Sequence, residues 1–266
     1  MFWTRLISAI IFGTIVVIAI QMGNHLTFFI IVSIFVILSA IEFLNLANPS
    51  ENSVIKCINV FTTWLVCLSS FKPDWIDINL VFCLAIGLPF IIEIIKRKPK
   101  LALLSVSSAI LGFFYIGWLF GRHLILLRQM SDGKLLIFLL ISVAWSSDIG
   151  AYLIGKKFGK HKIIPSISPG KSLEGFISGI AFGVLASLFS YFYLNINPVH
   201  AIIMGIMLTI IGQLGDLAES LMKRSANVKD SGKLMPGHGG ILDRCDSMIF
   251  ITPALYYYCM SILKLK

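Results

Sequence analysis

The stretch 27–46, TFFIIVSIFVILSAIEFLNL, contains one charged side chain, that of Glu42. A helix needs about 20 mostly apolar residues to cross the hydrocarbon layer of a bilayer. Other stretches of the chain have the same character. We therefore expect about nine transmembrane helices, near residues 5–22, 27–46, 54–71, 79–95, 101–120, 135–154, 174–195, 199–217 and 247–263. This pattern predicts an all-α, polytopic integral membrane protein.

The composition of the chain supports a membrane protein and excludes other classes. Of its 266 residues, 57% are hydrophobic and 13% are charged, and the mean hydropathy is +0.90. Soluble domains carry about 25% charged residues, so a soluble enzyme, a disordered chain and a secreted disulfide scaffold are excluded. The five cysteines have no CxxC spacing and do not favour a zinc or redox site.

The basic residues predict the orientation. Arg5 precedes the first apolar run, and no small-residue cleavage site follows it, so we expect an uncleaved first span. With the N-terminus in the cytoplasm, 16 of the 22 Lys and Arg residues lie on the cytoplasmic side. Three basic residues in the connection 121–134 oppose this orientation. We expect residues 1–134 to form a lipid-facing scaffold and residues 135–266 to carry catalytic cytoplasmic loops.

Polar chemistry is concentrated in the stretch 212–247, which holds five of the thirteen acidic residues. Asp216, Glu219, Ser220 and Lys223 are three or four residues apart, so they share one face of a helix. A carboxylate at the membrane surface is costly unless it is paired or bound to a cation. The spacing therefore leaves two interpretations open, an ion pair between Glu219 and Lys223 or a cation site.

Asp243 and Asp246 stand three residues apart at the start of the last apolar run, near the N-terminus of a helix. The helix dipole alone can favour two acids at this position. The preceding glycine-rich stretch 236–240, however, offers backbone that can approach a ligand closely. Oxygen ligands in small number, with room for water and phosphate oxygens, favour Mg²⁺.

A second polar group lies at 145–175. Asp148 stands inside an apolar span, where an acid is a functional candidate. Gly170, Lys171 and Ser172 look like the end of a phosphate-binding P-loop, but Pro165 occupies the position of the required earlier glycine. Ser172 could cap the next helix, or its loop could hold a phosphate. The basic residues 156, 157 and 160 are explained by topology.

These motifs together resemble the signature of the phosphatidate cytidylyltransferases, also called CDP-diglyceride synthases. The resemblance is carried by SLMKR at 220–224, KD at 229–230 and PGHGGILDRCD at 236–246, and the stretches 148–152 and 168–175 are similar to two further parts of that family. The chain departs from the family at three positions. Met235 replaces Leu, Ile or Phe, Cys245 replaces an aliphatic residue or Thr, and Gly170 stands where a second Lys is frequent.

The resemblance implies that CTP and phosphatidic acid react to give CDP-diacylglycerol and pyrophosphate with Mg²⁺, and a second cation is plausible. The metal ligands it implies are Asp216, Asp243 and Asp246. The catalytic residues it implies are Lys223, Arg224, Lys229, Asp230, His238 and Arg244. The substrate-binding residues it implies are Asp148, Ser168, Lys171, Ser172, Glu174, Gly239 and Gly240.

The expected location is the cytoplasmic (inner) membrane, with the active site facing the cytoplasm. The expected partners are CTP and membrane phosphatidic acid, with no nucleic acid, and a homodimer is left open. Two other functions compete with this interpretation. A CTP-dependent lipid kinase acting on a polyprenol-type alcohol would yield a lipid phosphate. A cation-coupled transporter, using Asp148, Asp216 and Asp246 as an ion path, would move a substrate without chemistry.

Overall fold

The computed structural model describes residues 13–14, 23–49, 51, 53–97, 99–234 and 239–265. Within these ranges the chain is mostly helical and forms no strand, apart from an isolated antiparallel bridge between Lys162 and Ser172. The predicted all-α class is confirmed. The chain divides into two compact units. The first comprises the described part of Met1–Leu126 together with Ala226–Arg244, and the second comprises Leu127–Ser225 and Cys245–Lys266.

The first unit is built from the helices that precede residue 127. In chain order they are α1 (His25–Ala47), α2 (Ser53–Phe71), α3 (Ile78–Lys96), α4 (Pro99–Gly112), a π-helical segment (Phe113–Arg122) and α5 (His123–Gln129), whose last residues belong to the second unit. Short connections join α1 to α2 and α3 to α4, as expected for antiparallel neighbours. Asn24 caps α1 and Asp77 caps α3 through their side-chain oxygens.

The second unit contains the remaining long helices. They are α6 (Gly133–Phe158), α7 (Leu173–Phe189), α8 (Tyr191–Leu194), α9 (Pro198–Ser225), most of α10 (Leu242–Tyr258) and a final π-helical segment (Cys259–Leu263). Helix α7 packs against both α6 and α9. Gly179 permits this packing, since a Cβ atom there would lie 2.7 Å from Gln213 Nε2 of α9 and 3.1 Å from Ser147 Oγ of α6.

Seven helices in the described ranges are long and apolar enough to cross a membrane. They correspond to the predicted spans from 27–46 to 199–217. The predicted span 5–22 lies outside the described residues except for residues 13–14, and α10 is not among the seven. The structure therefore supports a polytopic membrane protein, while the count of nine stays a prediction.

The predicted connection 121–134 is wrong. The helical segment that begins at Pro99 continues to Gln129, and α6 begins at Gly133. Arg122 is accommodated within the helix because its guanidinium stacks on Trp118, 4.5 Å from the ring centroid, and donates to Ser70 Oγ at 3.0 Å. Arg128 is also buried. These two cations are therefore not the loop charges on which the orientation rule depends.

Close helix contact in the second unit leads to a stability prediction. A Cβ atom at Gly205 would lie 2.6 Å from the Cα atom of Val184, and backbone cannot rotate away from it. Because overpacking typically costs about 1–3 kcal/mol, we expect Gly205→Ala to lower the midpoint of thermal unfolding in detergent. Gly87→Ala is the matched control, since nothing lies within 4 Å of a Cβ atom on that helical glycine. Equal midpoints for the two variants would contradict this packing.

Candidate active site

A cavity of about 600 Å³ lies in the second unit, where α6, α7 and α9 meet the loop 159–172. It brings together most of the residues that the sequence assigned to substrate binding. Its polar side chains are Asp148, Tyr152, Lys156, Lys162, Ser168, Lys171, Ser172, Gln213 and Asp216. The cavity therefore combines three ammonium groups with two carboxylates, which suits a ligand that carries both phosphates and a bound cation.

Lys171 and Asp216 form an ion pair across this cavity. The Lys171 ammonium lies 2.8 Å from Asp216 Oδ2 and also donates to the backbone oxygen of Gln213 at 3.2 Å. Both side chains keep partial access to solvent. The pair thus joins the loop 159–172 to α9 and places a cation and a carboxylate where an incoming ligand can contact both.

Ser172 ends the loop and starts α7. Its hydroxyl accepts a hydrogen bond from the Gly175 backbone N–H at 3.2 Å, so it is the N-cap of the helix. Of the two roles left open by the sequence, the cap is the one observed. Gly175 allows α7 to begin against α6, because a Cβ atom there would lie 2.9 Å from the backbone oxygen of Ala151.

Glu174 holds the loop rather than projecting into the cavity. Its carboxylate accepts hydrogen bonds from the backbone N–H groups of Lys160 at 3.2 Å and His161 at 3.3 Å, and it contacts His161 Nδ1 at 2.7 Å. Arg224 supports the same loop by donating from Nε to the backbone oxygen of Ile167 at 3.2 Å. Glu174 and Arg224 therefore set the position of the cavity wall.

Loosening this wall should affect ligand binding. Glu174→Ala removes the hydrogen bonds that hold the loop, so we expect it to raise the KM for CTP, the substrate that the resemblance implies, by roughly several-fold. The matched control is Asp132→Ala, since Asp132 precedes α6 and makes no side-chain cap to it. Steady-state kinetics with varied CTP would test this, and an unchanged KM in Glu174→Ala would contradict a loop-holding role.

Several carboxylates of the second unit act electrostatically on Asp246. Asp246 is half-buried, and its burial raises its pKa well above the ordinary value. Repulsion from Asp216, Glu219 and Asp148 raises this pKa further, in that order of importance. Gly215 permits α9 to approach α10 closely at Asp246, since a Cβ atom on Gly215 would lie 2.8 Å from the backbone oxygen of Asp246. Mutual repulsion of this kind is relieved when a cation binds.

Asp243 belongs to the first unit, within the segment 226–244. Its Oδ2 atom accepts hydrogen bonds from the backbone N–H of Ser231 at 2.9 Å, the Ser231 hydroxyl at 2.9 Å and the backbone N–H of Gly240 at 2.8 Å. Gly239 has φ = +82°, a backbone conformation that favours glycine. A Cβ atom there would also lie 2.6 Å from Asp243 Oδ2. Gly239 and Gly240 thus shape the turn around this carboxylate.

The predicted catalytic residues occupy varied environments. Lys223 forms an ion pair with the fully buried carboxylate of Glu219, which confirms the pairing interpretation for these two residues. Lys229, Asp230 and Arg244 are exposed. His238 lies outside the described residues, so its predicted role stays a prediction.

Mg²⁺ requires a small number of oxygen donors, which the carboxylates near Asp246 supply. Across the described ranges, no three Asp, Glu, His or Cys side chains form a ready metal-binding group. Mg²⁺ usually takes one or two carboxylates and completes its shell with water and substrate phosphates. Asp216 and Asp246, whose charges repel each other, fit that requirement. The residues present are therefore compatible with Mg²⁺ held jointly by protein and substrate.

Several cavity residues were not identified from the sequence. The positive-inside rule explains Lys156 by topology, and no sequence motif singles out Tyr152, Lys162 or Gln213. One available signal was helical spacing, since Asp148, Tyr152 and Lys156 are each four residues apart and share a face of α6. Lys156 Nζ lies 5.5 Å from the Tyr152 ring centroid, as that spacing predicts.

Comparison with known proteins gives consistent results. The sequence model of the cytidylyltransferase family matches residues 3–262. The phosphatidate cytidylyltransferase of Bacillus subtilis (strain 168) is 35% identical over 261 residues, which cover 96% of this chain and 94% of the relative. The protein of the same name from Staphylococcus aureus (strain COL) is 33% identical over 254 residues, which cover 94% of this chain and 96% of the relative. The range matched by the family model includes the cavity and the segment 226–244.

Proposed function

Since the chain belongs to the cytidylyltransferase family, we propose that it transfers the cytidylyl group of CTP to phosphatidic acid, giving CDP-diacylglycerol and pyrophosphate. The observation that carries this proposal is the cavity of about 600 Å³, which is lined by ammonium groups and carboxylates at the ends of apolar helices. A triphosphate requires cations, and a lipid substrate requires a site that membrane helices can present.

The cations of the cavity are suited to the triphosphate. Lys156, Lys162 and Lys171 would neutralise part of its charge, which an apolar wall could not do. Lys171 would exchange some of its contact with Asp216 for phosphate oxygens. The ion pair keeps both groups oriented towards the cavity.

We place Mg²⁺ beside the carboxylates, with Asp216 and Asp246 as the ligands best supported by proximity and Asp243 as the third ligand implied by the signature. The bound ion would neutralise charge on phosphate oxygens and so reduce the repulsion between two anionic substrates. Asp148, the remaining acid of the cavity, would contribute to the same negative field.

The reaction demands little proton transfer from the protein. The phosphate of phosphatidic acid is already ionised near neutral pH, so its oxygen can attack the α-phosphorus of CTP directly. The bond between the α-phosphorus and its bridging oxygen then breaks, and the electron pair leaves with pyrophosphate. The protein therefore needs to position two anions and offset their charge, which is the usual basis of phosphoryl-type transfer.

The seven apolar helices place the protein in a membrane. Its position in the cytoplasmic membrane with the cavity facing the cytoplasm is part of the proposal. This orientation is supported by the bias of Lys and Arg and by the supply of CTP in the cytoplasm. Phosphatidic acid would enter sideways from the leaflet while its acyl chains stay in lipid.

Isotope labelling of CTP tests the function. Purified protein in detergent with phosphatidic acid and Mg²⁺ should move label from the α-phosphate of CTP into lipid and leave label from the γ-phosphate in pyrophosphate. Replacing phosphatidic acid with diacylglycerol should abolish the lipid product. Lipid labelled from the γ-phosphate would identify a kinase instead and overturn the proposal, and so would the absence of any chemical product.

A further inference from the structure

Glu42 is a buried carboxylate that the reaction described above does not use. It lies near the end of α1, and its residue is 4% exposed. Its Oε1 atom accepts from the Ile241 backbone N–H at 3.1 Å, and its Oε2 atom accepts from the Leu242 backbone N–H at 2.9 Å. The Ser231 hydroxyl lies 3.1 Å from Oε2. All these partners belong to the segment 226–244, about 200 positions along the chain from Glu42.

The first N–H groups of a helix have no partner within it, and they carry a partial positive charge. At the start of α10 the adjacent residues are Ile241 and Leu242, whose side chains cannot accept a hydrogen bond. The carboxylate of Glu42 meets this need from another helix. It therefore accepts from the two backbone N–H groups where the chain enters α10, whereas a local Ser or Asp cap accepts from the second or third helical residue.

Two glycines of the segment make room for this carboxylate. A Cβ atom at Gly232 would overlap Glu42 Oε1, and one at Gly240 would overlap Glu42 Oε2. Both positions therefore require glycine because the Glu42 carboxylate lies so close to them. Each side chain larger than hydrogen would displace either the carboxylate or the turn.

The same contacts reach Asp243. The Ser231 hydroxyl lies 2.9 Å from Asp243 Oδ2 as well as 3.1 Å from Glu42 Oε2, so it stands between the two carboxylates. The other donors to Asp243 are the backbone N–H groups of Ser231 and Gly240. Glu42 contacts the hydroxyl of Ser231 and the N–H group of Ile241, the residue that follows Gly240. Moving Glu42 would therefore move the donors that orient Asp243.

We propose that Glu42 is a positioning residue for cytidylyl transfer, which fixes Ser231 and the turn 239–242 and thereby the orientation of Asp243. This inference rests on the proposed function. Glu42 touches neither substrate in this scheme, so it acts through the turn and not on the reacting atoms. The N-terminal helices then contribute to the site as well as forming a scaffold.

The test compares Glu42→Gln with Glu93→Gln. Glutamine keeps the size of Glu42 but turns one acceptor into a donor, which faces a backbone N–H in either orientation. We expect a roughly ten- to hundred-fold fall in kcat and a higher Mg²⁺ concentration for half-maximal activity. Glu93 is an equally buried glutamate of the same unit, paired with Lys96 at 2.6 Å, and its variant should leave both values unchanged.

A second readout does not depend on activity. Lys229 and Lys233 are exposed in the segment, so trypsin can report how firmly it is held. Glu42→Gln should accelerate cleavage there while the midpoint of thermal unfolding stays near that of Glu93→Gln. Cleavage of Glu42→Gln at the wild-type rate would overturn the proposal. So would a loss of activity that is accompanied by a lower midpoint of thermal unfolding and by an unchanged Mg²⁺ requirement.

Ser231→Ala provides an independent variant if Glu42→Gln fails to fold. It removes only the hydroxyl between the two carboxylates and should also raise the Mg²⁺ requirement, whereas a wild-type requirement would overturn the link to Asp243. Wild-type protein assayed in parallel distinguishes a failure of the proposed function from a failure of the role of Glu42. If it lacks cytidylyl transfer, the proposed function fails and this proposal with it. If it is active and Glu42→Gln behaves identically, only the role of Glu42 fails.

Discussion

Asp246→Asn is expected to reduce cytidylyl transfer by roughly a thousand-fold or more, because several kcal/mol of metal-assisted stabilisation depend on the lost charge. The same substitution should leave the fold intact or stabilise it. Asparagine has nearly the shape of aspartate, and it removes the repulsion that Asp246 experiences from Asp216 and Glu219. Loss of activity together with an equal or higher midpoint of thermal unfolding is therefore the expected signature.

Asp77→Asn is the matched control for this variant. Asp77 caps α3 by accepting hydrogen bonds from the backbone N–H groups of Asn79 at 2.7 Å and Leu80 at 3.3 Å, and asparagine caps helices equally well. Both activity and stability should stay at the wild-type level. Full activity in Asp246→Asn would remove Asp246 from the proposed metal site, and a lower midpoint would mean that its role is structural.

Lys171→Ala is expected to lower kcat/KM for CTP by roughly a hundred-fold, since charge-assisted contacts with phosphate contribute about 1.5–3 kcal/mol each. The variant also leaves Asp216 without the ammonium that lies 2.8 Å from it. Lys171→Arg should recover part of the loss, because it restores the charge with a different geometry. Initial rates at several CTP concentrations give these values.

Lys157→Ala controls for the general loss of positive charge. Lys157 follows Lys156 on α6 and is exposed, but it does not line the cavity. Its removal should change kcat/KM by less than roughly three-fold at physiological ionic strength, because exposed charges are strongly screened. Similar losses in both lysine variants would mean that overall surface charge, and not the Lys171 contact, governs CTP binding.

The fold was predictable where apolar periodicity is uninterrupted. The predicted span 27–46 corresponds to α1 (His25–Ala47), and the predicted span 79–95 corresponds to α3 (Ile78–Lys96). The predicted connection 121–134 is wrong around Arg122, because a hydropathy scan counts a charged residue against a span. Stacking on Trp118 and the bond to Ser70 make that charge acceptable inside a helix, and such contacts between segments are invisible to a hydropathy scan.

The site was predictable to the extent that its residues lie in short motifs at helix ends. Asp148, Ser168, Lys171 and Asp216 come from three separate segments and line one cavity, as their shared chemistry suggested. The role of Glu42 could not be inferred in this way. Its partners are backbone N–H groups, whose positions depend on the fold and leave no pattern in the residue types.

The hydrogen bonds of Glu42 have a consequence for biosynthesis. Ribosomes add about 5–20 residues per second, so roughly 10–40 s separate the synthesis of α1 from that of its partners at 241 and 242. During this interval an ionised carboxylate in hydrocarbon would be costly. The nascent helix must therefore keep Glu42 near the headgroups until the residues that donate to it have been made. The final hydrogen bonding of α1 is thus completed only when translation is almost finished.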